Sequence, residues 1–223
     1  MKHNTPQNGF SLVEMIVSLA LFSIVVTVAV GALLSLIATN RQLQAEQSVM
    51  TNLSFALDSM TREIRTGTHY FCDAQTNYNS GSDKIFKDGV NAPPSATDLD
   101  TLADRTQDCA TGNTGGLRLQ GIAFKESGDS ITGAAERILY FFDETEGKIY
   151  RRVGSGLAQS IVSSGIFIEN AEFFVTGSAP QNGGSTDDNQ AIVTIYLEAK
   201  EVNDPAAKPY KIQTTITQRT LDI

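Results

Sequence analysis

Hydrophobic and polar residues follow two different patterns on either side of residue 40. From Phe10 to Ala38 the chain has 29 consecutive positions with a single charged side chain, that of Glu14. As a helix this stretch would be about 43 Å long, whereas the hydrocarbon core of a bilayer is about 30 Å thick. The apolar segment, residues 10–38, is therefore predicted to form a helix that can span a membrane.

After Ala38 the apolar residues recur at the spacing of an amphipathic helix. They are Leu43, Met50, Leu57 and Ile64, seven positions apart, with Leu53 and Met60 in the second apolar position. The pattern predicts one continuous helix from Phe10 to Thr66, in which residues 39–67 dock through this stripe on a globular head. A coiled-coil seam is the alternative, but Glu46 interrupts it.

The end of this helix carries further signals. Asp58 and Arg62 are four positions apart on the polar face, which is the spacing of an ion pair within a helix. Gly67 follows the last periodic residues and is predicted to be the C-cap.

The rest of the chain reads as short strands separated by turn residues. The predicted strands are Leu117–Lys125, Arg137–Asp143, Lys148–Val153, Ile166–Thr176, Ala191–Val202 and Tyr210–Leu221. Residues 143–147 are predicted to be a hairpin loop. Alternation is clean in residues 192–198 and 212–217, which is typical of antiparallel strands with one face in water. The predicted fold class is α+β, a long N-terminal helix packed on an antiparallel sheet in residues 68–223, with a further small sheet as an option.

Composition argues against several classes of function. The 17 basic and 25 acidic residues give a formal charge of −8, which does not provide a broad surface for nucleic acid. Arg151 and Arg152 are too small a basic cluster to change this, and we expect them to be a solvated pair. The chain is long enough for one domain plus an appendage, which excludes a large multidomain enzyme.

Catalytic and metal-binding patterns are absent from the sequence. Of its two histidines, His3 lies near the start and His69 follows the predicted helix, and there is no HExxH, Walker or GxSxG motif. Residues 187–189, Asp-Asp-Asn, lack the alternating acids and glycine of an EF-hand, so a solvated turn is favoured over a calcium site. We expect no enzymatic activity and no cofactor. The aromatic residues of the strands are expected in the core: Tyr140, Phe141, Phe142, Phe167, Phe173 and Phe174.

Glu14 helps to decide whether the apolar segment is a plain membrane anchor or has a more specific function. An acid within a spanning helix costs about 2 to 3 kcal/mol unless it lies near an end or is paired. Cleavage between Gly9 and Phe10 would place a new α-amino group one helical turn from the carboxylate. A secretory signal peptide cut near residues 29–31 is the alternative, but its apolar stretch is normally only about 7 to 15 residues long, with a more basic start.

Residues 9–15, Gly-Phe-Ser-Leu-Val-Glu-Met, followed by the apolar run, resemble the processing signature of type IV pilins and of the pseudopilins of type II secretion. The resemblance implies that a prepilin peptidase removes residues 1–9 on the cytoplasmic side and N-methylates Phe10. It also implies that Glu14 pairs with the N-terminus of a neighbouring subunit during filament assembly. Many major pilins have a proline partway along this helix, whereas here Gly31 lies in that region and proline is absent between Pro6 and Pro93.

The resemblance implies a single-pass precursor in the inner membrane, with the head outside the cytoplasm, that then joins a pilus or pseudopilus. Its partners would be other pilin subunits, the prepilin peptidase and an assembly-platform membrane protein. A minor pilin of a type IV pilus-like filament is the favoured interpretation, with weak likeness to the minor pilin W and pseudopilin J groups. A type II secretion pseudopilin is the first alternative, and a filament-borne adhesin or DNA-binding module is the second.

Two cysteines bracket the long polar stretch from Thr68 to Gly116, which is expected to be irregular. In a head exported to an oxidising compartment, a bridge between Cys72 and Cys109 would close a loop of 38 residues and contribute about 3 to 4 kcal/mol. Two unpaired thiols are the alternative. The spacing does not match a zinc site.

Overall fold

The computed structural model describes residues 9–72, 102, 105–109, 121–126, 137–179, 190–202 and 208–219. Within these residues the chain forms one long helix followed by antiparallel strands, so the predicted α+β class is confirmed. The chain divides into two compact units, residues 1–47 and residues 48–223. We call them the N-terminal unit and the C-terminal unit and describe each by itself.

The helix α1 spans Leu12–Thr66 without interruption. The predicted helix from Phe10 to Thr66 is thus confirmed to within two residues at its start. Gly31 lies inside α1, which is consistent with the small cost of glycine in a helix, about 1 kcal/mol, compared with about 3 kcal/mol for proline.

The N-terminal unit contains α1 residues 12–47, and its side chains face outward. Every residue from Gly9 to Gln44 is exposed, including the large apolar side chains of the apolar segment. Over residues 12–38 this helix is hydrophobic all round, the pattern of a helix whose natural surroundings are apolar. It is also the one described helix long and apolar enough to cross a membrane.

In the C-terminal unit, one face of α1 packs into the core. The buried helix residues are Val49, Leu53, Ala56, Leu57, Met60 and Ile64. The predicted stripe is therefore wrong at two of its members, because Leu43 is 49% exposed and Met50 is 55% exposed. Met50 lies about 100° around the helix from Val49, which takes it off the buried face. Docking of the helix on sheets, rather than a coiled-coil seam, is confirmed.

The strands form two antiparallel sheets. The first, sheet A, has the order β1-β2-β3-β4-β5 with β1 Thr68–Cys72, β2 Gly121–Lys125, β3 Ile138–Asp143, β4 Lys148–Val153 and β5 Gln159–Ser160. The second, sheet B, has the order β6-β7-β8 with β6 Ile166–Thr176, β7 Ile192–Glu201 and β8 Tyr210–Thr217. Buried side chains of α1, sheet A and sheet B share one hydrophobic cluster.

Most predicted strands are confirmed, with two omissions. Strands β4 and β6 have the predicted bounds, and the loop at residues 143–147 connects β3 to β4 with a hydrogen bond from the Gly147 N to the Asp143 O of 2.9 Å. The prediction that Thr68–Gly116 is irregular throughout is wrong, because its first five residues form strand β1. The short strand β5 was also not predicted.

A disulfide lies where the two sheets meet. Cys72 and Cys109 are bonded, with Cα atoms 5.8 Å apart, so the bridge is confirmed. The Cys72 N donates to the Gln107 O at 3.1 Å, and the Cys109 N donates to the Val175 O of β6 at 2.9 Å. Residues 105–109 therefore connect the edge of sheet A to sheet B, and the disulfide closes that connection covalently.

Gly67 ends the helix for a packing reason. Its N–H donates to the Ile64 O at 3.0 Å, as a residue just after a helix does, but its φ is not positive; the left-handed residue is His69, with φ of 53°. A Cβ at Gly67 would lie 2.5 Å from the ring of Phe124. Glycine is required here because the backbone passes against the core of sheet A.

Candidate processing and assembly segment

The start of α1 is fixed by a side-chain cap. The Ser11 Oγ accepts a hydrogen bond from the Glu14 backbone N–H at 3.2 Å, and the Ser11 O accepts the Met15 N–H at 3.3 Å. This is the N-cap arrangement, in which a hydroxyl satisfies an N–H group that has no partner within the helix. Ser11 was missed by the sequence reasoning, although the Ser-x-x-Glu spacing of a capping box could have identified it.

The predicted processing and assembly residues lie together at this end of the helix. Gly9 and Phe10 precede the cap and are exposed, Phe10 to 78%. Glu14 lies in the first turn of α1, where the positive end of the helix dipole favours an acidic side chain. The leader residues 1–8 lie outside the described part of the chain.

Four hydroxyl side chains in the first part of α1 donate hydrogen bonds within the helix. Ser18 donates to the Met15 O at 3.0 Å, and Ser23 donates to the Leu19 O at 2.9 Å. Thr27 donates to the Ser23 O at 2.8 Å, and Thr39 to the Ser35 O at 3.0 Å. An unsatisfied hydroxyl is costly in hydrocarbon, so these bonds make the helix compatible with a surrounding that offers no water.

Two glycines of this segment have no steric role within the described chain. A Cβ at Gly9 or at Gly31 would meet nothing within 4 Å. Gly67 differs, because the fold leaves no room for a side chain there. Among the described residues, therefore, no steric contact requires glycine at either position.

In the C-terminal unit, an acidic residue of α1 is held by sheet A. The Glu63 carboxylate accepts hydrogen bonds from the Tyr140 hydroxyl at 2.7 Å and from the Arg151 Nε at 2.9 Å. Burial, and then the hydrogen bond and charge of Glu63, raise the pKa of the Tyr140 hydroxyl above its usual value. The hydrogen bond to Glu63 also raises the pKa of Arg151. This cluster fastens the helix to the sheet.

The expectation of a solvated arginine pair was wrong. Arg151 binds Glu63, whereas Arg152 is 2% exposed, with its guanidinium carbon 5.2 Å from the centre of the Phe141 ring. Adjacent strand residues point to opposite faces, so the two arginines serve the two sides of sheet A. The aromatic expectation holds for four residues, while Phe167 and Phe174 are only partly buried.

No group of three or more His, Cys, Asp or Glu side chains that could hold a metal ion occurs among the described residues. Asp187 to Asn189 lie outside them, and so does the glycine-rich stretch 112–116. His69 is partly buried, with its Nδ1 3.2 Å from the Thr68 Oγ1. The Asp58–Arg62 pair is present at 3.0 Å on an exposed helix face, as predicted.

The comparison with known families identifies the N-terminal segment. A family model described as the prokaryotic N-terminal methylation motif matches residues 4–30. This match covers Gly9, Phe10 and Glu14 together with the first two thirds of the apolar segment. No curated protein and no solved structure was found to match the chain. The chain therefore carries the signal of type IV pilins and pseudopilins, and this signal overlaps the start of the long helix that leads into the antiparallel sheets.

Proposed function

We propose that this protein is a structural subunit, a minor pilin, of a type IV pilus-like filament. The observation that carries the proposal is the methylation motif at residues 4–30, which overlaps the apolar first part of helix α1, where every residue from 9 to 44 is exposed. A surface of this kind is stable only against lipid or other apolar helices. The helix of a filament subunit contacts lipid while the subunit is a membrane precursor, and it contacts the helices of other subunits after assembly.

The first step of the proposed function is cleavage by a prepilin peptidase between Gly9 and Phe10. Residues 9–11, which directly precede α1, are exposed, and no contact among the described residues requires glycine at position 9. A protease needs an extended backbone at its active site, and glycine presents no side chain to obstruct it. The Phe10 amine released by the cut would then be N-methylated.

Assembly follows from the charges at this end of the helix. The new Phe10 amine and the Glu14 carboxylate have opposite charges, and a neighbouring subunit would offer the same pair. Burial of an unpaired acid in an apolar medium costs about 2 to 3 kcal/mol, which pairing with a neighbour's amine would offset. Side-by-side packing of the apolar helices supplies the main stabilisation, and Glu14 sets the register between subunits.

The proposed location is the inner membrane as a single-pass precursor, with the C-terminal unit outside the cytoplasm. A buried disulfide supports an oxidising compartment for that unit, because cytosolic thiols are normally kept reduced. The proposed partners are other pilin subunits, the prepilin peptidase and an assembly-platform membrane protein. The function uses no cofactor and no enzymatic step by this chain.

The test combines the mass of the mature chain with filament incorporation. We expect a mature chain that begins at Phe10 and carries one methyl group. We also expect Glu14→Ala to abolish incorporation into sheared filaments while membrane levels stay normal. Glu46→Ala, an acid of the same helix beyond the apolar segment, is the matched control and should still assemble. A native chain that begins at Met1, or beyond Ala29, would contradict the proposal.

Recovery with long surface filaments also tests the pilus assignment. We expect this chain in those filaments at a small fraction of the major subunit. Recovery only with an outer-membrane secretin and secreted hydrolases would instead assign it to type II secretion.

A further inference from the structure

Two charged residues bracket the apolar helix of the N-terminal unit. Glu14 and Arg41 are the only charged residues between positions 10 and 45. Both are exposed, and both belong to the same uninterrupted helix α1. Their separation along the helix axis is therefore fixed by helix geometry.

This separation matches the full thickness of a bilayer. Glu14 and Arg41 are 27 positions apart, which corresponds to about 40 Å at about 1.5 Å per residue. A bilayer measures about 40 to 45 Å between the outer limits of its headgroup regions, while its hydrocarbon core is only about 30 Å thick. One side chain can thus lie in each headgroup layer at the same time, and neither charge then lies in hydrocarbon.

We propose that Glu14 and Arg41 lie in opposite headgroup layers and together set the depth of the helix in the membrane, with Arg41 bound to lipid phosphate. The inference rests on the membrane-spanning precursor of the proposed function. The planar guanidinium of arginine pairs well with phosphate oxygens, and its apolar stem can remain against the acyl chains. At the other surface, Glu14 keeps its hydration, so the precursor needs no counterion for it within the membrane.

A different depth follows if hydrophobicity alone positions the helix. The apolar segment, residues 10–38, would then be centred in the bilayer at position 24. If the two charges set the depth, the bilayer centre lies midway between Glu14 and Arg41, between positions 27 and 28. The two arrangements differ by about 5 Å along the helix axis, roughly one turn.

The sequence offers a clean way to measure this depth, because the chain contains no tryptophan. Phe22 lies eight positions after Glu14, and Leu33 lies eight positions before Arg41. We would prepare full-length chains with one reporter each, Phe22→Trp or Leu33→Trp. They would be placed in vesicles of phosphatidylethanolamine and phosphatidylglycerol. Quenching by lipids brominated near the headgroup or near the chain end then gives the depth of each reporter.

The proposal expects the two reporters to lie at equal depth on opposite sides of the bilayer centre. Glu14→Gln should bring the Phe22 reporter nearer the centre and the Leu33 reporter nearer the surface, by up to about one helical turn of 5 Å. Arg41→Gln should produce a smaller shift of the same sign, because the anchor to phosphate is lost while Glu14 still opposes entry of its end of the helix into hydrocarbon. Glu14→Asp and Arg41→Lys keep the charges and should leave both depths unchanged.

The possible outcomes separate this inference from the proposed function. A Phe22 reporter that is already the deeper one with both charges present, or depths that neither Glu14→Gln nor Arg41→Gln changes, would overturn the role of the charges. The spanning helix would stand in that case. If bromine at the chain end quenches neither reporter, the helix does not span, and both the proposed function and this inference fail.

Discussion

The two parts of helix α1 have the same backbone and opposite surroundings. Residues 12–47 expose apolar side chains on all sides, whereas residues 48–66 bury one face among two sheets. Within the C-terminal unit, each apolar residue of the buried face is explained by a contact in the same chain. In the N-terminal unit, the apolar residues have no such explanation among the described residues. The comparison shows that the second stretch of α1 builds the core of the C-terminal unit, whereas the apolar side chains of the first stretch take no part in a core among the described residues.

The largest effect should come from the covalent link in the C-terminal unit. Replacing both cysteines, Cys72→Ser with Cys109→Ser, is expected to lower the free energy of unfolding by about 3 to 4 kcal/mol, because the open chain regains the entropy of a long loop. All six tyrosines lie beyond residue 47, so tyrosine near-ultraviolet dichroism during urea unfolding in detergent reports on this unit alone. Reduction of the unmodified protein should reproduce the loss. A decrease below about 1 kcal/mol would contradict the role of the bridge between the sheets.

The comparison is tested most directly by the same substitution in each part of α1. Leu53→Ala removes a side chain that is 1% exposed and is expected to cost about 3 kcal/mol through lost burial and a cavity. Leu21→Ala removes a side chain that is 60% exposed and should leave the unfolding of the C-terminal unit unchanged, while weakening filament assembly. Equal losses of stability from the two variants, measured by the same tyrosine signal, would disprove the division of roles.

Alkaline pH should weaken the contact between the helix and sheet A. The pKa of Tyr140 is raised in the folded state by burial and by Glu63. Above a pH of about 10 the unfolded chain loses this proton while the folded chain keeps it, so stability falls as pH rises, by at most about 1.4 kcal/mol per pH unit. Urea unfolding at several pH values should show a shallower decline for Tyr140→Phe. A residual decline is expected, because burial also raises the pKa of Tyr150.

The smallest effect is expected on the exposed face of the docked part of α1. Arg62→Gln breaks the ion pair with Asp58, whose two side chains are 80% and 69% exposed. Such pairs contribute only about 0.3 to 0.5 kcal/mol and are weakened by salt. Arg151→Gln, which breaks the partly buried pair with Glu63, serves as the comparison and should cost more. The order would be contradicted if Arg62→Gln had the larger effect in the urea titration.

Local pattern was sufficient to predict most of the fold. The apolar run at residues 10–38 and the helical spacing from Leu43 to Ile64 predicted α1. Alternation in β7 likewise agrees with the burial of Val193, Ile195 and Leu197. Strand β1 was missed because its five residues adjoin a long polar stretch. They form a strand through pairing with β2, whose residues lie about 50 positions later in the chain. Pairing over such a distance leaves no signal in a local window.

The arginines of β4 show a second limit of sequence reasoning. Alternation correctly places Arg151 and Arg152 on opposite faces of a strand, but it does not say what covers each face. Glu63 reaches Arg151 because α1 crosses that side of sheet A, and the Phe141 ring lies beside Arg152 on the other. The proposed processing and assembly residues Gly9, Phe10 and Glu14, by contrast, could be named from the sequence because they lie close together in the chain, within the stretch that the methylation motif matches.

The hydrogen bonds that hydroxyl side chains make within the first part of α1 have a consequence for a transfer of the helix from a membrane into a filament. Four side chains each donate a hydrogen bond to a backbone carbonyl of the preceding turn: Ser18, Ser23, Thr27 and Thr39. None of these bonds depends on a solvent molecule or on a second chain, so none must be exchanged when the helix leaves one medium for another. A helix bonded in this way would move from the bilayer into a filament with these four hydrogen bonds unchanged.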